Sequence, residues 1–174
     1  IVESKFFHNG KSRPLKFNID KYQNFKDKII YLIQDHQPVE LKELNPADDE
    51  GIKSFKLIFN AHKREHAQRN FIEKGLTAAN DNDIILISDV DEIPNLESID
   101  IKNLNNKIIL FEQAIFYYKL NRYLPKFTWY GTKACKKKHL ESPQWLRGIK
   151  NKKYSFFRLD TLFSKSKYIN KYYV

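Results

Sequence analysis

The chain is predicted to fold as an α/β domain, and three observations predict it. Asp83 is followed by an unbroken apolar run, Ile84-Ile85-Leu86-Ile87, and a run without alternation reads as a strand covered on both faces, the habit of a central parallel strand. Ahead of it, from His62 to Ala79, apolar or small residues recur at Ala67, Phe71, Ile72, Gly75, Leu76 and Ala79, while Arg64, Glu65, Gln68, Arg69 and Glu73 take the opposite face. That is the period of a helix. Earlier still, Ile29-Ile30-Tyr31-Leu32-Ile33 is a second apolar run. Strand, helix and strand in that order form the unit that builds a parallel sheet flanked by helices.

Taken in order, Ile1-Val2-Glu3 looks like the end of a strand already under way, and the run at 29–33, bounded by Lys28 and Gln34-Asp35, is the next strand. The acids and Pro46 between Pro38 and Gly51 mark a loop. After the helix, Asn80-Asp81-Asn82-Asp83 turns the chain into the strand that delivers Asp89, and Pro94 is expected to stop that strand. Lys107–Phe111, Ala114–Tyr118 and Phe127–Tyr130 read as further strands, so the second half holds a mixed sheet. No repeat or low-complexity linker divides the 174 residues, and one domain with a real core is expected.

Composition narrows the class. No apolar run is long enough to span a bilayer and no charged-then-apolar leader opens the chain. The expectation is therefore a cytoplasmic protein, peripheral at a membrane if it touches one. The single Cys135 allows no internal disulfide. There is no methionine at all, and the chain is expected to be part of a longer product. Charge is uneven: residues 1–132 hold 19 basic and 19 acidic side chains, so the whole excess of +10 lies in 133–174, where twelve Lys and Arg meet only Glu141 and Asp160. This basic region, with Lys136, Lys137, Lys138, Lys150, Lys152 and Lys153 and the aromatics Tyr154, Phe156, Phe157, Tyr168, Tyr172 and Tyr173, suits an anionic glycan or membrane surface. A solvated lysine-rich face is the alternative. No nucleic-acid motif accompanies the charge, so nucleic acid is not an expected partner.

The chemistry concentrates in Asp89-Val90-Asp91-Glu92-Ile93-Pro94. Ligands of open α/β sheets bind beyond the carboxyl ends of strands. In extended backbone Asp89 and Asp91 point the same way and can share one hard cation with a phosphate-bearing ligand. A solvated turn or a helix N-cap has the same composition.

With those residues in place, the chain resembles nucleotide-sugar glycosyltransferases of the GT-A fold, whose Asp-x-Asp motif closes a central strand. The likeness narrows on further blocks, Val2-Glu3-Ser4-Lys5-Phe6 with Gly10, Arg13-Pro14-Leu15-Lys16-Phe17, the run around Tyr31 and Asp35, and Asp89 to Pro94. Together these look like glycosyltransferase family 17, that of the bisecting β-1,4-N-acetylglucosaminyltransferase, and the resemblance implies that a leading strand and helix before Ile1 and a segment after Val174 are missing here. The resemblance implies a metal-dependent, inverting transfer of a sugar, N-acetylglucosamine in type, from a UDP-sugar donor to a glycan, lipid-linked or protein-linked saccharide acceptor. It implies Asp91 as direct ligand of Mn²⁺ or Mg²⁺, Asp89 on the ribose or the metal, and Glu92 as an anchor of the loop. It places Glu3 and the Arg69-Asn70 pair toward the donor. An ion pair of Arg69 with Glu65 or Glu73 at helical spacing competes with that role. Inversion requires one carboxylate as general base on the acceptor hydroxyl; Glu112 is the candidate, ahead of Glu141. Asn121, Trp129 and Trp145 fall where an acceptor would dock. His62 and His66, four apart on a helix without a Glu-x-x-His context, read as surface.

Two rivals belong to other classes. A haloacid-dehalogenase type phosphatase also sets two Asp two apart at a strand end, but Glu92 stands where it needs Thr or Val. A non-catalytic polyanion- or nucleic-acid-binding module would use the basic region instead and show affinity that falls steeply with salt.

Overall fold

The structure is a computed structural model that describes residues 1–97, 99–101, 105–119 and 121–151, and the backbone of Lys171–Tyr173. Lys152, Lys153, Tyr154, Phe156, Phe157 and Tyr168 of the basic region lie outside the described residues, as do the side chains of Tyr172 and Tyr173. The architecture is mixed α/β with small sheets and few helices. Two compact units form, Ile1–Ala78 and Ala79–Val174.

In the first unit, β1 (Val2–Ser4) lies parallel to β2 (Leu32–Gln34), with Glu3 opposite Ile33. The strand expected at 29–33 is thus displaced toward its C-terminal end. Only 32–34 find ladder partners, and Ile30 and Ile33 are exposed, so the run is not covered on both faces. A kinked 3₁₀ segment, Ile19–Lys28, leads into β2, its start capped by the Asn18 side chain.

The helix α1 spans Glu50–Asn70 and tightens into a 3₁₀ turn at Phe71–Gly75. It begins twelve residues before His62, at the end of the stretch between Pro38 and Gly51 that reads as a loop. The Asp49 carboxylate supplies the reason, accepting the Ile52 N–H at 2.7 Å as an N-cap. In the first half of α1, Ile52, Phe55, Leu57 and Ile58 are exposed. The one buried residue of α1, Asn60, accepts from Lys42 N–H and donates to Lys42 C=O, both at 2.8 Å. Arg64 clasps the turn at 7–10 by donating to His8 C=O at 3.0 Å and Gln37 Oε1 at 2.8 Å. Gly10 sits under that guanidinium at φ +86°, where a side chain would collide with it.

The second unit is a sheet of order β3-β7-β4-β8 beside a separate hairpin. Here β3 is Ile84–Ile87, β4 Ile108–Leu110, β7 Lys133–Lys136 and β8 Lys171–Tyr173. The hairpin pairs β5 (Gln113–Phe116) with β6 (Tyr123–Trp129), antiparallel and with an irregular register between Ala114 and Phe116. A six-residue helix, α2 (Pro143–Gly148), starts at Ser142, whose hydroxyl accepts the Trp145 N–H.

Three expectations change here. Among the described residues β3 pairs only with β7, antiparallel, and its burial alternates, so it is not a central parallel strand. It ends at Ile87, well before Pro94. Its neighbour β7, Lys-Ala-Cys-Lys in sequence, has no apolar run to announce it, yet Lys133, Ala134 and Cys135 are buried in the middle of the sheet. The expected mixed sheet does form, with β3, β7 and β4 antiparallel and β8 parallel to β4. Its core is Ile109, Phe111 and Ala134, with Ile84, Leu86, Ile99 and Ile101 packed against them. Burial pushes the Cys135 thiol up to about 12, the behaviour of an inert core thiol.

Candidate functional site

Beyond Ile87 the chain leaves the ladder and turns. Glu92 N–H donates to Asp89 C=O at 3.1 Å, so Asp89 to Glu92 form a β-turn rather than a continuation of β3. The expectation that Asp89 and Asp91 share one face of extended backbone is therefore corrected. Asp89 and Asp91 stand at positions one and three of that turn, and they have different surroundings.

Glu92 is the hub. Only 7 % of its side chain is exposed, and it accepts from Trp129 Nε1 at 2.6 Å, from Arg147 at 2.6 Å and from its own turn through Asp89 N–H at 2.9 Å. Arg147 also donates to Asp89 Oδ2 at 2.7 Å, and its guanidinium lies 5.7 Å from the centre of the Trp129 ring. Asp91 is exposed and makes no hydrogen bond or ion pair with a described residue. Three carboxylates against one guanidinium leave these side chains two negative charges in excess.

Each partner is delivered by a separate element, and each element is held. Gly131 is buried behind Glu92 and Trp129, where a Cβ would collide with both the carboxylate and the indole nitrogen. Ser88 and Thr132 share a hydroxyl–hydroxyl bond at 2.6 Å, which joins the end of β3 to the segment entering β7. Lys133 runs its ammonium to the carbonyls of Arg147 and Ile149. It thereby caps the C-terminus of α2 and sets the residue that clamps Asp89 and Glu92. Arg147, Gly131 and Lys133 have no signal in the sequence. Arg147 is 58 residues from Asp89 inside a region that reads as undifferentiated positive charge.

The remaining predicted residues divide between the two units. Glu3, Arg69 and Asn70 belong to the first. Glu3 is buried and accepts four hydrogen bonds, from Arg13 (2.9 Å), Lys16 N–H (2.8 Å), Phe17 N–H (3.0 Å) and the Tyr31 hydroxyl (2.8 Å). All four acceptor sites of the carboxylate are thus occupied by protein donors. Burial alone would raise its pKa, but the Phe17 N–H, the Tyr31 hydroxyl, the Lys16 N–H and Arg13 outweigh it and bring the value down to about 2. Glu3 is the knot that holds Arg13-Pro14-Leu15-Lys16-Phe17 against β1. Arg69 pairs with Glu65 at 2.9 Å, four residues back on α1.

In the second unit Glu112 is exposed and accepts from the Tyr130 hydroxyl at 2.9 Å and from Thr128 at a long 3.5 Å. Asn121 is exposed in the turn between β5 and β6. Trp129 ends β6, its N–H committed to Glu92. His62 and His66 are both exposed. Part of the basic region is spent internally: besides Lys133, Lys137 donates to Ala79 C=O and Lys138 to Asn82 at 2.9 Å.

No group of three or more His, Cys, Asp or Glu side chains able to hold a metal gathers among the described residues. The oxygen-only donors Asp89 and Asp91 still fit a hard divalent cation that takes the rest of its ligands from phosphate and water, as Mg²⁺ habitually does. Zinc, which prefers nitrogen and sulfur, does not suit this set. No helix among the described residues is long and apolar enough to cross a membrane.

Comparison with protein families matches residues 1–164 to glycosyltransferase family 17. No curated protein and no solved structure matches the chain. The match takes in both the Glu3 knot and the acid turn at Asp89–Glu92, and it covers nearly the whole sequence. The chain belongs to glycosyltransferase family 17 and is a transferase of sugar residues.

Proposed function

We propose that the chain is a metal-dependent, inverting glycosyltransferase of the GT-A fold that moves N-acetylglucosamine from a UDP-sugar to a glycan or glycoconjugate acceptor. The observation that carries this reading is the division of labour in the acid turn. Asp89 and Glu92 are pinned by Arg147 and Trp129, while Asp91 stands in solvent with no partner among the described residues. A turn built only for stability has no use for a third carboxylate beside two others, since like charges repel.

In this reading Asp91, with Asp89, holds Mn²⁺ or Mg²⁺. The bound cation supplies Lewis-acid stabilisation of the diphosphate leaving group. The chain's own residues do the rest. Arg147 keeps the turn in one geometry and limits the repulsion between Asp89 and Glu92. Glu3 acts on the nucleoside indirectly, by fixing the loop 13–17, because its own lone pairs are committed. Arg69-Asn70 serves the donor, with Glu65 steadying the guanidinium. Glu112 is assigned as the base that takes the acceptor hydroxyl proton, and Asn121 and Trp129 face the acceptor. The polyanion-binding alternative loses ground because Lys133, Lys137 and Lys138 bond within the protein.

The test is calorimetric titration of UDP, with and without Mn²⁺, into the wild-type chain and into Asp91→Ala. Metal-dependent binding that disappears in the variant supports the donor site. A folded wild-type chain that binds UDP under neither condition sinks the reading.

A further inference from the structure

The β5–β6 hairpin carries exposed rings on both faces, and its register separates them. Phe116 and Tyr123 meet on one face, ring centres 5.7 Å apart. On the other, Gln113 stands opposite Trp129, and opposite residues of an antiparallel pair share a face. Alternation adds Ile115 from β5 and Phe127 from β6 to this second face. None of the four side chains is charged. Glu112, bonded to Tyr130 and Thr128, borders this face rather than joining it.

Trp129 is 47 % exposed and Phe127 64 %. The only polar atom of the indole is spent on Glu92, so what Trp129 shows to solvent is carbon. That bond is made at the edge of the ring. Arg147 lies over the indole as well, yet about half of the residue stays open. Phe127 meets no other ring and no cation among the described residues. Gln113 adds the polar element. Its Oε1 accepts the Thr132 N–H at 3.0 Å, which fixes the amide, and its Nε2 reaches no acceptor among the described residues. Two N–H donors are thus held ready beside two open rings.

Nucleic acid and anionic lipid both need cations on the contact face, and this face has none. Rings with an oriented amide match a neutral saccharide, whose C–H faces lie flat on aromatic carbon and whose hydroxyl oxygens accept from N–H groups. The chain belongs to a family of sugar transferases. Its Trp129–Glu92 bond also joins this face to the acid turn.

We propose that Gln113, Phe127 and Trp129 form a platform for a neutral oligosaccharide acceptor, with Gln113 donating to a hydroxyl. Alternate positions of a strand are about 7 Å apart, so each ring meets a different sugar residue. The inference rests on the transferase reading for its place beside the acid turn. It goes further by adding Phe127 and Gln113 and by assigning an uncharged acceptor longer than one sugar.

Tryptophan emission of the full chain, titrated with chitotriose, cellotriose and maltotriose, tests it, with trigalacturonic acid as the anionic counterpart. At least one neutral trisaccharide is expected to bind, more tightly than its monosaccharide and with little dependence on salt. Phe127→Ala should weaken binding about fivefold or more, and Phe127→Tyr should restore it. Gln113→Glu keeps the acceptor for Thr132 N–H but removes both donors, and should weaken binding by a similar factor. Far-UV circular dichroism controls for folding, and the UDP–Mn²⁺ titration should be unchanged in all three variants. A wild type that binds none of the neutral trisaccharides overturns the proposal, as does binding that Phe127→Ala and Gln113→Glu both retain. Preference for the anionic trisaccharide overturns it too. Self-association that Phe127→Ala abolishes, without sugar binding, overturns it and identifies a second copy as the occupant. Trisaccharide binding without UDP binding would keep the platform and remove the donor-site reading, whereas metal-dependent UDP binding without trisaccharide binding would remove the platform alone.

Discussion

The Glu92 carboxylate accepts the Trp129 indole N–H at 2.6 Å, a bond that ties the acid turn after β3 to the last residue of β6 across 37 positions of sequence. Gly131 makes the approach possible, because any side chain there would occupy the space in which carboxylate and indole meet. Gly131→Ala is therefore expected to destabilise the protein by about 1–3 kcal/mol, the usual effect of overpacking. Thermal denaturation reads the loss, and a red-shifted tryptophan emission reads the displaced indole. An unchanged melting temperature and spectrum would mean that the two groups do not meet this way in solution.

Arg147 contributes to stability as well as to orientation. It is 11 % exposed and spans Asp89 and Glu92, so Arg147→Met leaves a nearly buried Glu92 without its counter-charge. The expected cost is about 3–5 kcal/mol, as for breaking a buried pair from one side. Arg147→Lys should recover only part of it, because an ammonium does not reproduce the guanidinium fork. Urea denaturation of the two variants separates charge from geometry.

Asp91 is expected to behave in the opposite manner. Being exposed and unpartnered among the described residues, Asp91→Ala should leave stability within about 0.5 kcal/mol of wild type. It should also abolish metal-dependent UDP binding. Glu92→Gln should keep much of the metal dependence but lower stability. If the two variants exchange these phenotypes, Glu92 is the ligand and Asp91 the structural residue.

The Glu3 knot makes folding sensitive to both ends of the pH scale. Its folded pKa of about 2 lies below the ordinary 4.5, so its stabilisation is fully present above pH 4.5 and is lost as pH falls through 2. Tyr31 is raised from 10 to about 12 by burial first, then by its bond to Glu3, so its share is present below pH 10 and lost as pH rises through 12. Glu3→Gln should flatten the acid limb and lower stability at neutral pH by about 2–4 kcal/mol through weakened charge-assisted bonds. Denaturant midpoints across pH 2–7 for the variant and wild type check both.

Much of the site was legible in the sequence where the signal was local. The apolar run before Asp89 marked β3, although the acids after it, expected in extended backbone, form a turn. The period read from His62 to Ala79 marked the helix only as far as Asn70, its later positions falling in the 3₁₀ turn at Phe71–Gly75 and beyond it, and Ile108 to Phe111 marked the core strand. Each follows from the repeat of one backbone type against one buried face, which neighbouring residues report by themselves.

What only the tertiary structure decided is who meets whom. Nothing in Lys-Ala-Cys-Lys announces a central strand, because Lys133 satisfies its charge on the carbonyls that end α2. Nothing in Glu3 announces that all its acceptors are taken, because its donors lie 10 to 28 residues away. The same holds for Arg147 on Asp89. The sequence by itself determined the family, the α/β class and the position of the acid turn, all of which are properties of short contiguous segments. Which carboxylates are pinned and which is left exposed was decided by long-range hydrogen bonds and by the space left at Gly131, for which a linear sequence has no period to display.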